Sequence, residues 1–386
     1  MDTIIVNAKI YSEDRVVDKG YIGIKNSTIS KIGEGEYNAI DGNDHIIDAG
    51  GRTVIPGFID LQVNGAGGYL VTDGDSEHLQ VISNALAKFG TTSFLVATSP
   101  CRDDEHLKII NTVNDYMDME HTGARILGVH MEGPFMNPEK AGANNPEFTS
   151  VPDVKKFKKF VHESCVRMMT VSPEIGDFTE IFEAAKEENV VLSVGHSKAT
   201  YEEAKKFFDK GCNMCTHLFN TMSMPSAREP GIIPAMIENE KVLGSIIFDG
   251  HHVHPSNLKM LYILCGASRL VLITDSAPTA ATSQKEWNFD GFNIHVKDYT
   301  CYLEDGTIMG SSLTMNKAAM IAKEHLHCST VDIIQMAAVN PAKILHAYDQ
   351  VGSLAVGKKA DILILDNEDS FDPFMVFING KVEFVQ

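Results

Sequence analysis

The chain has 386 residues, of which 52 are Asp or Glu and 33 are Lys or Arg, giving a net charge of −19. A surface that binds phosphates along a nucleic acid needs an excess of Lys and Arg, so that class of partner is excluded. With 44% hydrophobic and 22% charged residues, the composition is that of a globular protein with a large core, not of a disordered chain.

Residues 1–15 carry Asp2, Glu13 and Asp14 and lack the basic start and long apolar stretch of a signal peptide. No apolar run approaches the roughly 20 residues of a membrane-spanning helix. Seven cysteines, an odd number scattered along the chain, fit reduced thiols better than a disulfide framework. A soluble cytoplasmic protein without membrane contact is expected.

In chain order, "TIIVNAKIYS" and "GYIGIKNSTISKIGEG" cluster β-branched residues between Gly, Asn and Ser, the pattern of short antiparallel strands. From residue 54 the texture changes to apolar runs alternating with helical segments, as in repeated βα units. Leu79, Ile82, Leu86 and Phe89 fall at helical spacing before Gly90. Residues 190–194 read as a strand, Thr200 and Glu203 as a capping box opening a helix that Gly211 closes, and residues 213–216 as the next strand.

Eight apolar strand candidates result: "VIPGFIDLQVNG", "TTSFLVATS", "ILGVHMEGP", "VRMMTVSPE", "VVLSVGHS", "NMCTHLFN", "VLGSIIFDG" and "LVLITDSAP". Eight is the number that closes a βα barrel. Residues 283–312 break the rhythm and predict an excursion between the eighth strand and its helix; helical segments follow at 313–325 and 331–338. After residue 346 short strands return, with Asn379-Gly380 as a hairpin turn. The predicted fold is α/β: a (β/α)8 TIM-like barrel over residues 54–346, with a small β-sandwich domain built from residues 1–53 and 347–386.

Loops after the strands converge over one barrel mouth, so polar residues at strand ends are the candidates for chemistry. These are Gln62 and Asn64 after the first strand, Glu132 after the third, His196 after the fifth, His217 after the sixth and Asp275 after the eighth. One carboxylate and two imidazoles make a three-ligand zinc site with a position left open. Zinc lowers the pKa of water from about 15.7 to about 7, and Asp275 is placed to take its proton. The predicted class is metal-assisted hydrolysis.

Other motifs carry less. Any single His among the 15 present is more often structural, and it is the shared barrel face that favours function here. Cys212 and Cys215 form a CxxC without a second pair and read as small buried residues. His252 and His254 alternate as on a strand, where they would share a face and present a second metal site, although substrate contact is the better reading. Arg228 is equally a phosphate grip or a solvated arginine, and "NGAGGY" is a weak phosphate signal or a turn.

Taken in order, "PGFIDLQVNGAGG", "GVHMEGPFMN", "VGHSKAT", "THLFNTMS", "FDGHHV", "LITDSAP", "GSSLTM" and "VGSLAVGKKADILILD" resemble the N-acetylglucosamine-6-phosphate deacetylases of the amidohydrolase superfamily nearly end to end. The resemblance implies hydrolysis of the acetamide of N-acetylglucosamine 6-phosphate to glucosamine 6-phosphate and acetate. It implies one divalent metal, zinc, on Glu132, His196 and His217, with Asp275 as the general base that later protonates the amine. It places Gln62, Ala143, Asn144, Asn220, Thr221, Asp249, Gly250, His251, Ile308, Met309 and Gly310 at the substrate and makes Arg228 and His252 phosphate contacts. A homodimer is implied as well, since in this family the neighbouring subunit can contribute to the phosphate site.

The chain departs from that pattern twice. Many amidohydrolases carry HxH after the first strand, where this chain has Gln62, Val63 and Asn64; amides are poor zinc ligands, so a mononuclear site is expected. Some family members place a carbonyl-polarising His at the position of Asn144, and losing one such donor costs roughly 100-fold to 1000-fold in rate. Two alternatives stand beside this reading: the same reaction on N-acetylgalactosamine 6-phosphate, and a catalytically silent barrel that serves as an interaction protein.

Overall fold

A computed structural model describes residues 2–38, 44–289 and 292–386. Phe58–Val63, Thr91–Thr98, Arg125–Glu132, Val166–Val171, Val191–Val194, Met214–Cys215, Leu243–Ile247 and Leu270–Ile273 pair in parallel, each with the next, as the eight barrel strands. They are almost wholly buried, which is why they read as continuous apolar runs: helices cover the sheet on its outer face and side chains fill its interior. One helix follows each strand: Ser76–Ala87, Asp103–Asp118, Val154–Val161, Thr179–Glu187, Tyr201–Asp209, Ile232–Glu238, Pro255–Cys265 and Met315–Leu326.

Local signals set these helices. Thr200 Oγ1 accepts the Glu203 backbone N–H while Glu203 accepts that of Thr200, a reciprocal cap of a kind worth about 1 kcal/mol. The helix then buries Ala204, Phe207 and Phe208. Leu79, Ile82 and Leu86 are likewise the buried face of Ser76–Ala87.

The first and eighth strands close the barrel without a continuous ladder. Val63 and Ser276 form a single bridge, the Asn64 and Gly65 N–H groups donate to the Ser276 carbonyl, and the Asp60 carboxylate accepts both the N–H and the hydroxyl of Thr274. Complete burial pushes the Asp60 carboxyl up to about 7, against the pull of these hydrogen bonds.

Strands from both ends of the chain share one further hydrogen-bonded sheet: Thr3–Tyr11, Val16–Lys25, Thr28–Glu34, His45–Asp48, Thr53–Pro56, Ile362–Asn367, Asp372–Ile378 and Lys381–Val385. It surrounds its own core, which includes Ile5, Ile22, Val54, Leu354, Ile362 and Phe377. Thr53–Pro56 pairs here, with Lys9 and Ile10 on one side and Ile362–Ile364 on the other, so the run "VIPGFIDLQV" is two strands, and the crossing falls at Gly57, not after residue 53. A Cβ on Gly57 would lie 2.2 Å from the Thr92 side chain, so only glycine fits where the chain changes sheets. Asn379 and Gly380 make the expected hairpin, both left-handed at φ 49° and 74°.

Arg125, at the start of the third barrel strand, pairs with Asp361, and both side chains are nearly buried. Its guanidinium also donates to Asn379 and Ser93. The excursion is a four-stranded antiparallel sheet, Glu286–Phe289, Phe292–Lys297, Thr300–Tyr302 and Ile308–Ser311. The helical segment expected at 331–338 is longer: Thr330–Ile334 widens into a π stretch, Gln335–Val339, and continues as Asn340–Ile344 past Pro341. Among the described residues no helix is long and apolar enough to cross a membrane. All seven cysteines are free thiols, and Cys212 and Cys215 are buried packing residues whose thiols burial pushes up.

Candidate metal centre

Three buried side chains meet where the third, fifth and sixth strands end. Glu132 Oε1 lies 2.6 Å from His196 Nε2 and 2.9 Å from His217 Nε2, and the two Nε2 atoms are 3.1 Å apart. No other group of three His, Cys, Asp or Glu among the described residues converges in this way. His196 Nδ1 donates to the Lys140 carbonyl at 2.7 Å, which turns the lone pair of Nε2 toward the cluster. At these distances a proton on Nε2 satisfies Glu132 and a divalent ion can take that proton's place, so the two imidazoles and the carboxylate are a donor set that fits such a metal. Burial would raise the Glu132 carboxyl, but the charge and hydrogen bonds of the two histidines hold it well below the usual range. Burial would lower His217, and Glu132 raises it instead.

Beside the cluster, Asp275 Oδ1 accepts hydrogen bonds from Gln62 Nε2 at 3.1 Å and Asn64 Nδ2 at 2.8 Å. The two amides thus hold the carboxylate, a role that local sequence does not disclose. Burial and the nearby Glu132 charge raise the Asp275 carboxyl above its ordinary value. Gln62 Oε1, His217 Nδ1 and Thr221 Oγ1 are buried without a hydrogen-bond partner, and such unsatisfied polar atoms mark a place where solvent or a ligand completes the bonding.

His196, His217, Thr221 and Asp275 all have left-handed backbones, at φ 48°, 32°, 49° and 49°. Non-glycine residues held there are strained, by about 1–3 kcal/mol each. The strain lies where the chain turns sharply out of a barrel strand.

The loop after the third strand folds over His196: a Cβ on Gly142 would meet Thr221 Cγ2 at 2.8 Å and His196 Cε1 at 3.6 Å. Ala143 is exposed and Asn144 half-buried in this loop. Asn220 donates to the carbonyls of His217 and Leu218. In Ile308–Ser311, Gly310 lies against the Asp275 carbonyl, 2.7 Å from where its Cβ would sit, while Ile308 and Met309 are half-buried. Arg228 is exposed and makes no hydrogen bond or ion pair among the described residues.

After the seventh strand, Asp249 accepts the backbone N–H groups of His251 and His252 and the Nδ1–H of His252 at 2.6 Å. These bonds overcome burial and hold the Asp249 carboxyl down at about 2. Gly250 turns the loop at φ 83°, and His251 stays exposed. His254 does not join His252: the segment is a loop, and His254 Nδ1 accepts the Ser256 N–H to cap Pro255–Cys265, which removes the second-metal alternative. "NGAGGY" is a turn, with Gly65–Ala66 pairing Tyr69–Leu70 around Gly67 and Gly68.

Sequence reasoning passed over Asp60 and the Lys140 carbonyl. A carboxylate inside the run "GFIDLQV" was the available signal for Asp60. No residue type announces the carbonyl.

An eight-stranded βα barrel with a carboxylate, two imidazoles and a further acid at its strand ends defines a metal-dependent barrel hydrolase. The chain belongs to the amidohydrolase family, whose model matches residues 53–382. It is 31% identical to the N-acetylglucosamine-6-phosphate deacetylase of Bacillus subtilis (strain 168), over 99% of this chain and 97% of that protein. It is 30% identical to an N-acetylgalactosamine-6-phosphate deacetylase of Shewanella sp. (strain ANA-3), over 86% of this chain and 83% of that one. The crystal structure of N-acetylglucosamine-6-phosphate deacetylase from Pasteurella multocida superimposes with a TM-score of 0.91 at 28% identity, covering 99% of both chains.

Proposed function

We propose that the chain hydrolyses the acetamide of N-acetyl-D-glucosamine 6-phosphate to D-glucosamine 6-phosphate and acetate, in the cytoplasm and as a homodimer. The observation that carries this reading is the convergence of Glu132, His196 and His217 beside an Asp275 held by two amides. Glu132, His196 and His217 would hold one divalent ion, zinc by its preference for two imidazoles and a carboxylate. Such an ion supplies Lewis acidity and makes water a nucleophile at neutral pH.

The other steps belong to side chains. With Oδ1 engaged by Gln62 and Asn64, Asp275 turns Oδ2 to the reacting water and takes its proton as oxygen bonds to the acetyl carbon. The same carboxyl then delivers that proton to nitrogen as the C–N bond breaks, leaving acetate and the amine. A base whose carboxyl is raised by burial is suited to both transfers. Asn144, whose amide has no partner among the described residues, donates to the substrate carbonyl. Arg228 and His252 bind the phosphate, and Ala143, Asn220, Thr221, Gly250, His251 and Ile308 to Gly310 line the sugar.

The test is acetate release from N-acetylglucosamine 6-phosphate by wild type and Asp275→Asn, with metal content by elemental analysis. Turnover in wild type, its loss in the variant and about one metal per chain in both is expected. Turnover that survives Asp275→Asn or exhaustive chelation would overturn the mechanism. The Shewanella relative favours a second reading, with the galactosamine epimer as substrate, and kcat/KM on both sugars separates the two.

A further inference from the structure

The four-stranded excursion is no part of the barrel, yet its third strand reaches the site. Thr300 Oγ1 donates to Asp249 Oδ2 at 2.6 Å. The same carboxylate accepts the Nδ1–H of His252 and the backbone N–H groups of His251 and His252. Four donors therefore saturate one fully buried carboxylate. They leave Asp249 a single orientation, and with it the imidazole of His252, whose side chain is only 4% exposed. His252 Nε2 has no partner among the described residues, and Ser311, which pairs with Thr300, donates its N–H to the Asp275 carbonyl, so Thr300 and the carboxylate it holds lie beside the site.

The strand that carries Thr300 is held with unusual care. Lys297 and Thr300 close a two-residue hairpin whose turn residues, Asp298 and Tyr299, are both left-handed at φ 48° and 69°. Such a turn favours Asn and Gly, and side chains like these persist in it only where surrounding contacts enforce it. Here the Ser312 N–H bonds the Tyr299 carbonyl, and Cys301, next to Thr300, is buried with Ile294 and Ala277.

We propose that Thr300 is a positioning residue for substrate recognition: through Asp249 it locks His252 with Nε2 presented to the phosphate, which makes the inserted sheet part of the binding apparatus. This rests on the reading of His252 as a phosphate contact. The mechanism is that of an orienting carboxylate behind a working imidazole, with the hydroxyl as the pin that stops the carboxylate from rotating.

The experiment compares wild type, Thr300→Val and Thr300→Ser by steady-state kinetics on the phosphorylated sugar. It also records the deshielded Nδ1 proton of His252 by NMR, assigned through its loss in His252→Asn. Thr300→Val should raise KM about 10-fold, the low end for a hydrogen bond to a charged group, with kcat within about 2-fold. The same variant should shift or broaden the His252 proton, and Thr300→Ser should restore both readouts. A Val variant with wild-type KM and an unmoved resonance, or Val and Ser variants that behave alike, would overturn the proposal. If wild type shows no turnover but the resonance follows the Val and Ser pattern, the deacetylase reading fails and the positioning of His252 by Thr300 stands.

Discussion

Asn64→Asp offers a sharp test of how Asp275 is held. The substitution keeps size and replaces a donor 2.8 Å from Asp275 Oδ1 with a second carboxylate. Two unit charges at that separation repel by about 6 kcal/mol at an effective dielectric constant of about 20. The pair therefore retains one shared proton at neutral pH and titrates as a unit, as carboxylate dyads do. With the base occupied, kcat/KM at pH 7 should fall about 100-fold. The acid limb of the pH–rate profile should move to higher pH, and activity should recover as the shared proton leaves. Asn64→Leu removes the same donor without adding charge, so its rate should fall with far less displacement of that limb. The assay is kcat/KM between pH 5 and 10 for the three proteins, with elemental analysis to confirm an unchanged metal content. An Asn64→Asp profile that superimposes on that of wild type would refute the placement of Asn64 on the base.

Three other outcomes follow from the geometry. Arg125→Met strips Asp361 of its guanidinium, leaving a nearly buried carboxylate with the Asn379 N–H. Denaturant unfolding should show a loss of about 3–5 kcal/mol, most of it regained in the double variant with Asp361→Leu. His106 is pushed down to about 4 by burial, so between that value and 6.5 the unfolded chain binds the proton more readily. Stability present above pH 6.5 should thus decline toward pH 4, by up to about 3 kcal/mol, and His106→Gln should flatten this part of the curve. Arg228→Ala should raise KM for the phosphorylated sugar while leaving the unphosphorylated sugar unaffected; equal losses on both would remove Arg228 from the phosphate site.

The barrel was legible because parallel strands buried on both faces leave unbroken apolar runs, and the convergence of Glu132, His196 and His217 because strand ends meet at one mouth whatever the loops do. Legibility stopped where contacts join distant segments. Nothing near Gln62 or Asn64 says that both turn toward the eighth strand, and nothing near Thr300 says that its hydroxyl lands on Asp249. The crossing at Gly57 was hidden for a different reason: Val54–Pro56 and Phe58–Val63 are equally apolar, and hydrophobicity does not tell which sheet a strand joins. His252 and His254 misled because an alternating pair implies a shared face only on a strand, and that stretch is a loop ending in a helix cap.

The left-handed backbones of His196, His217 and Asp275 also bear on how this protein would respond to improvement. Those positions would relax with glycine or asparagine, the residues that tolerate such torsions, and each replacement would remove a group on which the proposed chemistry depends. Screening variants for heat resistance alone would therefore drift toward a more robust and inert barrel. Thermal tolerance is better sought in the terminal sheet, where Ser27 and Phe371 also have left-handed backbones, at φ 69° and 54°, and carry none of the proposed chemistry.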